Sequence, residues 1–256
     1  MMKNLLQEGK SLFLLLTFDF DAESAEVHKK AEFVELSYGK FGAKKGVYNV
    51  LKVLNEYDVK ATFFVPGWVA ENYPEAVSSI IKSGHEVGAH GYLHEKLDLE
   101  KDKYSILNKM DSLLSNYMPK DYKGFRAPYW RMSKDVLEYI KDLGYRYDSS
   151  LMDDDEPYVL EVSEEKIVEL PIDWRLDDWP ILKERMLDPK DFSTRIIEEI
   201  RYAVDTTKYL CVTMHPQLIG RGRNIHALEE IIKFGIAVNA EFITCSQLVQ
   251  RILSSY

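Results

Sequence analysis

Apolar residues fall along this chain in short blocks, separated by longer stretches of helical periodicity. LFLLLTF (12–18) is a continuous apolar run with the length of a buried parallel strand. ATFFV (61–65), HEVGAH (85–90), YKGFR (122–126), YRYDS (145–149), KIVELPI (166–172), YLCVTM (209–214) and EFITC (241–245) read as seven more strands. Between them, residues 44–57 carry Val47, Val50, Leu51 and Leu54 at helical spacing, and 100–117 set Ile106, Leu107, Met110, Leu113 and Leu114 on one side. Helices are also predicted over 74–84, 133–144, 191–204, 224–235 and 246–255; Pro74, Ser133, Gly84 and Gly144 supply start and stop signals. Residues 19–43 read as an unusually long polar loop, of the kind that serves as a lid.

Eight strands alternating with helices predict an α/β fold whose parallel strands close into a barrel. A single domain spanning 1–256 suits that length, and no repeat or linker divides it. In such barrels the chemistry sits at the C-terminal ends of the strands. There the sequence sets ionisable groups: Asp19 and Asp21 after the first strand, His90 and His94 after the third, and Arg126 after the fourth. Asp148 ends the fifth, Asp173 follows the sixth, and His215 follows the seventh.

His90 and His94 stand at i and i+4, so a helical turn there would aim both imidazoles at one metal. Asp21 supplies a carboxylate, and two histidines with one carboxylate leave positions open for water and substrate. Asp19 is free to act as base toward a metal-activated water, and His215 to protonate the leaving nitrogen. Arg126 is placed to pair with Asp19 and keep it ionised. The backbone N–H of Tyr129 is a candidate oxyanion donor. Asp148 could orient His215 or Arg126, or form an ordinary rim ion pair.

The balance of 33 Lys and Arg against 42 Asp and Glu gives a net charge of −9. That disfavours nucleic acid and anionic membranes and leaves small molecules or carbohydrates as partners. The two cysteines, Cys211 and Cys245, lie by apolar runs and read as buried thiols. The amino-terminal stretch lacks a cleavage site and meets Asp19 directly after its apolar run, so a cytoplasmic protein is expected. Exposed aromatics are compatible with a homo-oligomer.

Taken together, TFDFD (17–21), HGYLH (90–94), RAPY (126–129), YDSS around Asp148 and TMHP (213–216) resemble the five motifs of the NodB-like polysaccharide deacetylases, in family order. The resemblance implies a distorted (β/α) barrel of seven to eight parallel strands. It also implies catalytic roles for Asp19, His215, Arg126 and Asp148, and a divalent metal on Asp21, His90 and His94. Zinc is the first choice of metal, ahead of iron, cobalt and manganese.

The reaction implied is removal of the acetyl group from an N-acetylated amino sugar. Phe20 departs from the family pattern by separating the two aspartates, and no Trp follows the fourth motif's Asp. ELPIDWRLDDWP (169–180) and MHPQLIGR (214–221) resemble a side branch of peptidoglycan deacetylase-like, cyclic-imide hydrolase and allantoinase-like proteins. In that branch Tyr129, Trp130, Trp174 and Asp177 would contact substrate, with Asp178 and Trp179 shaping the pocket. Opening of a cyclic amide, imide or ureide is therefore the alternative activity. Two readings from other classes are an Fe(II) oxygenase, which would not need Asp19 and His215, and a non-catalytic carbohydrate-binding module, which would tend to lose a ligand or the base.

Overall fold

The computed structural model describes residues 11–162 and 165–255. The first ten residues of the stretch read against a leader lie outside them. The strands are β1 (Phe13–Asp19), β2 (Thr62–Val65), β3 (Glu86–Ala89), β4 (Lys123–Phe125), β5 (Tyr145–Asp148), β6 (Tyr158–Val162), β7 (Glu165–Glu169), β8 (Tyr209–Met214) and β9 (Glu241–Phe242). They form one sheet in the order β6-β7-β5-β4-β3-β2-β1-β8, with β9 added beside β1. Every pairing is parallel except the β6–β7 hairpin.

The sheet curves as a barrel does, but strand pairing does not close it. Between β8 and β7 the gap is spanned by an irregular segment: Asp177 bridges to Thr213, and the Tyr209 hydroxyl donates to the Pro171 carbonyl at 2.9 Å.

Alternation along β1 explains the two cores. Leu14, Leu16 and Phe18 face the surrounding helices, where they join Val47, Val50, Leu54, Ile80 and Leu228 in the larger apolar cluster. Phe13 and Leu15 face the interior with Phe64, Tyr147, Tyr209 and Cys211. The helix Cys245–Ser254 plugs the lower end of that interior with Leu248, Val249 and Ile252. The same inward file continues upward through Thr17 to Asp19, so strand periodicity delivers the carboxylate to the open end. Gly124 is required here, because a Cβ on it would stand 1.8 Å from the Tyr147 ring that crosses the interior.

Several expectations need correction. Residues 19–43 are not a loop: helices run over Ser24–His28 and Phe33–Phe41 and pass through a π-turn, Gly42–Gly46, into Val47–Glu56. Their exposed apolar positions, such as Phe33 and Val34, break the periodicity a sequence reader looks for. The edge strand β6 went unpredicted because it is largely half-buried and its alternation is weak. His94 does not sit on a helical turn; it has φ 59° in a bend. Both cysteines are buried free thiols, as expected. Among the described residues no helix is long and apolar enough to cross a membrane.

Candidate active site

Asp19, Asp21, His90, His94 and His215 converge at the open end of the interior, all buried. Asp21 Oδ1 lies 3.6 Å from His90 Nε2 and 3.7 Å from His94 Nε2. His90 Nδ1 contacts the Arg126 carbonyl at 2.8 Å, which fixes the tautomer and leaves the Nε2 lone pair facing Asp21. Asp21 Oδ1 and His90 Nε2 are buried with no hydrogen-bond partner among the described residues. Buried polar atoms are nearly always satisfied, so these orphans mark atoms set aside for a ligand. Asp21, His90 and His94 fit a divalent ion through one carboxylate and two imidazoles.

Electrostatics support the fit. Burial holds the His90 imidazole down to about 4 despite Asp19, and pushes His94 well below the ordinary histidine value with help from His90. Both are therefore neutral at pH 7, the form that binds metal. Burial raises the Asp21 carboxyl to about 8; the nearby His215 opposes this and Asp19 adds to it. A cation at this point would reverse that shift.

Asp19 stands on the other side of His90, with Oδ2 at 3.8 Å from Nε2. Burial would raise its carboxyl, but Arg126, then His90 and His215, outweigh burial and hold it below the ordinary value. Arg126 donates from Nη1 to Asp19 Oδ1 at 2.7 Å and to Thr17 Oγ1 at 3.0 Å. Its Nε and Nη2 donate to the Ser149 carbonyl and Oγ, each at 2.9 Å. The predicted Arg126–Asp19 pair is thus present, and Ser149 anchors it.

His215 Nδ1 lies 2.7 Å from Asp178 Oδ1 and 3.5 Å from Asp177 Oδ1, and its backbone N–H donates to Asp178 Oδ2 at 3.0 Å. Its Nε2 faces Asp21 Oδ2 at 3.8 Å. Burial would push the imidazole down, yet Asp177 and Asp178 outweigh it and hold His215 well above the ordinary value.

Asp148 is therefore not the partner of His215, nor does it bond Arg126. Tyr147 points inward, so the next residue, Asp148, turns to the opposite face of β5, where it meets Ser150 Oγ at 2.8 Å. Asp178, read from sequence only as a pocket residue, takes the place beside His215. Its signal was the adjacent pair Asp177-Asp178 in an otherwise apolar run. Gln217, which donates to Asp21 Oδ2 at 3.4 Å, went unnoticed two residues past His215.

A cleft of about 800 Å³ opens over this group, lined among others by Tyr129, Trp130, Trp174, Asp177 and Trp179. The Tyr129 ring packs edge-on to His94 at 4.4 Å, and Trp179 lies 5.3 Å from His215. Ala25, Glu26 and Lys29, from the unpredicted first helix and its end, cover one side.

The sequence profile of the polysaccharide deacetylase family matches residues 13–147. A peptidoglycan deacetylase of Helicobacter pylori is 29% identical over 235 residues, covering 78% of this chain and 80% of that one. A solved Mycobacterium smegmatis structure assigned to the polysaccharide deacetylases superposes with a TM-score of 0.85 at 32% identity, covering 97% of this chain and 92% of that one. The PuuE allantoinase superposes with a TM-score of 0.82 at 17% identity over 93% of this chain and 88% of its own, a likeness of fold. With its parallel α/β sheet, its five motifs and this profile match over more than half its length, the chain belongs to the polysaccharide deacetylase family.

Proposed function

We propose that this protein hydrolyses a non-peptide amide bond, removing the acetyl group from an N-acetylated amino sugar. The observation that carries the reading is the set of three buried, neutral-imidazole and carboxylate ligands with Asp19 on one flank and His215 on the other. Asp21, His90 and His94 would hold the metal, zinc ahead of iron, cobalt and manganese. When bound, such an ion supplies Lewis acidity for the acyl carbonyl and the attacking water. Asp19, kept ionised by Arg126, takes a proton from that water as its oxygen adds to the carbonyl carbon. The Tyr129 backbone N–H is offered to the oxygen that becomes negative. His215, held charged by Asp177 and Asp178, gives its Nε2 proton to the departing nitrogen, so the C–N bond breaks to acetate and a free amine. Trp130 and Trp174 supply apolar walls for a sugar ring. The name of the Helicobacter pylori relative supports an amino-sugar substrate.

A second reading, opening of a cyclic amide, imide or ureide, is favoured by the helix Ser24–His28 over the cleft, which suits a small substrate. The same base and acid serve both. The deciding experiment measures metal content beside turnover of an N-acetylglucosamine oligomer and of a cyclic imide, with and without chelator. Chelator-sensitive acetate release supports deacetylation. Imide opening alone moves the assignment to the second reading, and a protein that binds no metal and turns over neither substrate overturns both.

A further inference from the structure

Beyond the residues that surround the cleft lies a second pair of ionisable groups that the reaction does not use. Asp148 and Glu169 are register partners on the adjacent parallel strands β5 and β7. Both are fully buried, and as register neighbours their side chains lie on the same face of the sheet. Two ionised carboxylates so placed would have no proton to offer one another. Read as carboxylates, Asp148 Oδ2 and Glu169 Oε2 are both left without a donor among the described residues. One proton between them satisfies both at once.

The remaining oxygens are all used on the turn after β5. Glu169 Oε1 accepts from the Ser150 and Leu151 N–H groups, each at 3.0 Å. Asp148 Oδ1 accepts from Ser150 Oγ at 2.8 Å, and that hydroxyl in turn accepts from the Ala127 N–H at 2.8 Å. The turn so pinned carries Ser149, whose carbonyl and hydroxyl hold the Arg126 guanidinium from the side opposite Asp19. Ala127, pinned by the same Ser150, is the residue after Arg126.

We propose that Asp148 and Glu169 share one proton, and that this carboxyl pair is a positioning device that fixes the Ser149–Leu151 turn, and through it Arg126 and the base Asp19. The pair does not line the cleft. Burial, first of all, favours its protonated state, and for Glu169 the Asp148 carboxylate adds to this. Among the described residues, the ionisable groups whose fields reach it include Arg126 from the end of β4, Tyr158 on β6 and Tyr209 on β8. Of these three Arg126 favours ionisation, and its charge is already compensated by Asp19.

The positioning role rests on the deacetylase reading; the shared proton does not, so the test has two arms. In the first, infrared difference spectra of wild type and Glu169→Gln at neutral pH are compared for the carbonyl stretch of a protonated carboxyl group. The band is expected in wild type and lost in the variant, and its absence from wild type overturns the shared proton whatever the substrate. In the second, kinetics are compared in Glu169→Gln and Glu169→Ala. Gln donates to Asp148 and accepts from the turn as a protonated Glu does, so kcat should stay within about threefold. Ala releases the turn, and kcat should fall by about 10²-fold with KM within twofold and metal content unchanged. Wild-type-like kcat in Glu169→Ala, or equal damage in both variants, overturns the positioning role. If Glu169→Ala does not fold, the infrared band and the Gln variant still decide.

Discussion

Arg126 Nη1 lies 2.7 Å from Asp19 Oδ1, inside a barrel that leaves the guanidinium no solvent exposure. An arginine in such a place is held by its partners, and here one partner is the carboxylate proposed as the base. Asp19→Asn keeps the shape and an acceptor oxygen but removes the base. Its kcat is expected to fall by at least about 10²-fold with metal content unchanged. Near-normal turnover by this variant would remove Asp19 from the reaction. Arg126→Leu should instead cost about 3–5 kcal/mol of stability, because it leaves a buried carboxylate unpaired; denaturant titration measures this.

His90 reaches the ligand cluster through Nε2 and is fixed by the Arg126 carbonyl at Nδ1. His90→Ala should lose bound metal by elemental analysis and, with it, chelator-sensitive turnover. Retained turnover in metal-stripped wild type would show that the reaction proceeds without the ion.

His215 is held charged by Asp177 and Asp178 against the effect of burial. Its folded value is raised, so the acid form persists above the ordinary histidine range and is lost only as pH climbs through the raised value. Asp178→Asn removes the closer carboxylate. It should lower kcat by about 10²-fold and move the alkaline limb of kcat against pH downward. An unmoved limb would assign that limb to another group.

The Asp148–Glu169 pair carries folded values raised first by burial. For a carboxyl group raised on folding, the native state binds the extra proton. Its stabilising contribution is then complete below the unfolded value and lost as pH rises through the folded one. Glu169→Gln needs no proton. The Tm difference, variant minus wild type, should therefore grow as pH is raised from about 5 to about 8. A difference that is constant with pH would contradict the raised values.

Trp174 is 62% exposed yet lines the cleft. If it stacks on substrate, Trp174→Ala should raise KM about tenfold, or ~1.4 kcal/mol, and leave kcat near wild type. A fall in kcat at constant KM would instead give the ring a part in the chemical step.

The sequence by itself determined eight of the nine strands and which ionisable groups gather at one end of the sheet. Period-two alternation in β1 fixes which side Asp19 takes, and the order of Asp19, Asp21, His90, His94, Arg126 and His215 after apolar runs reveals the open end. These are local properties, readable because strand geometry sends alternate side chains to opposite faces.

Tertiary structure decided the partners. Asp178 rather than Asp148 holds His215, because the segment after β7 crosses to β8 and because Asp148 falls on the outward face of its strand. The helix Phe33–Phe41 starts on a Glu32–Glu35 capping box and carries exposed apolar positions that conceal it from a periodicity reading. Glu169 meets Asp148 only through the pairing of β5 with β7, a contact set by register between strands, which no local pattern encodes.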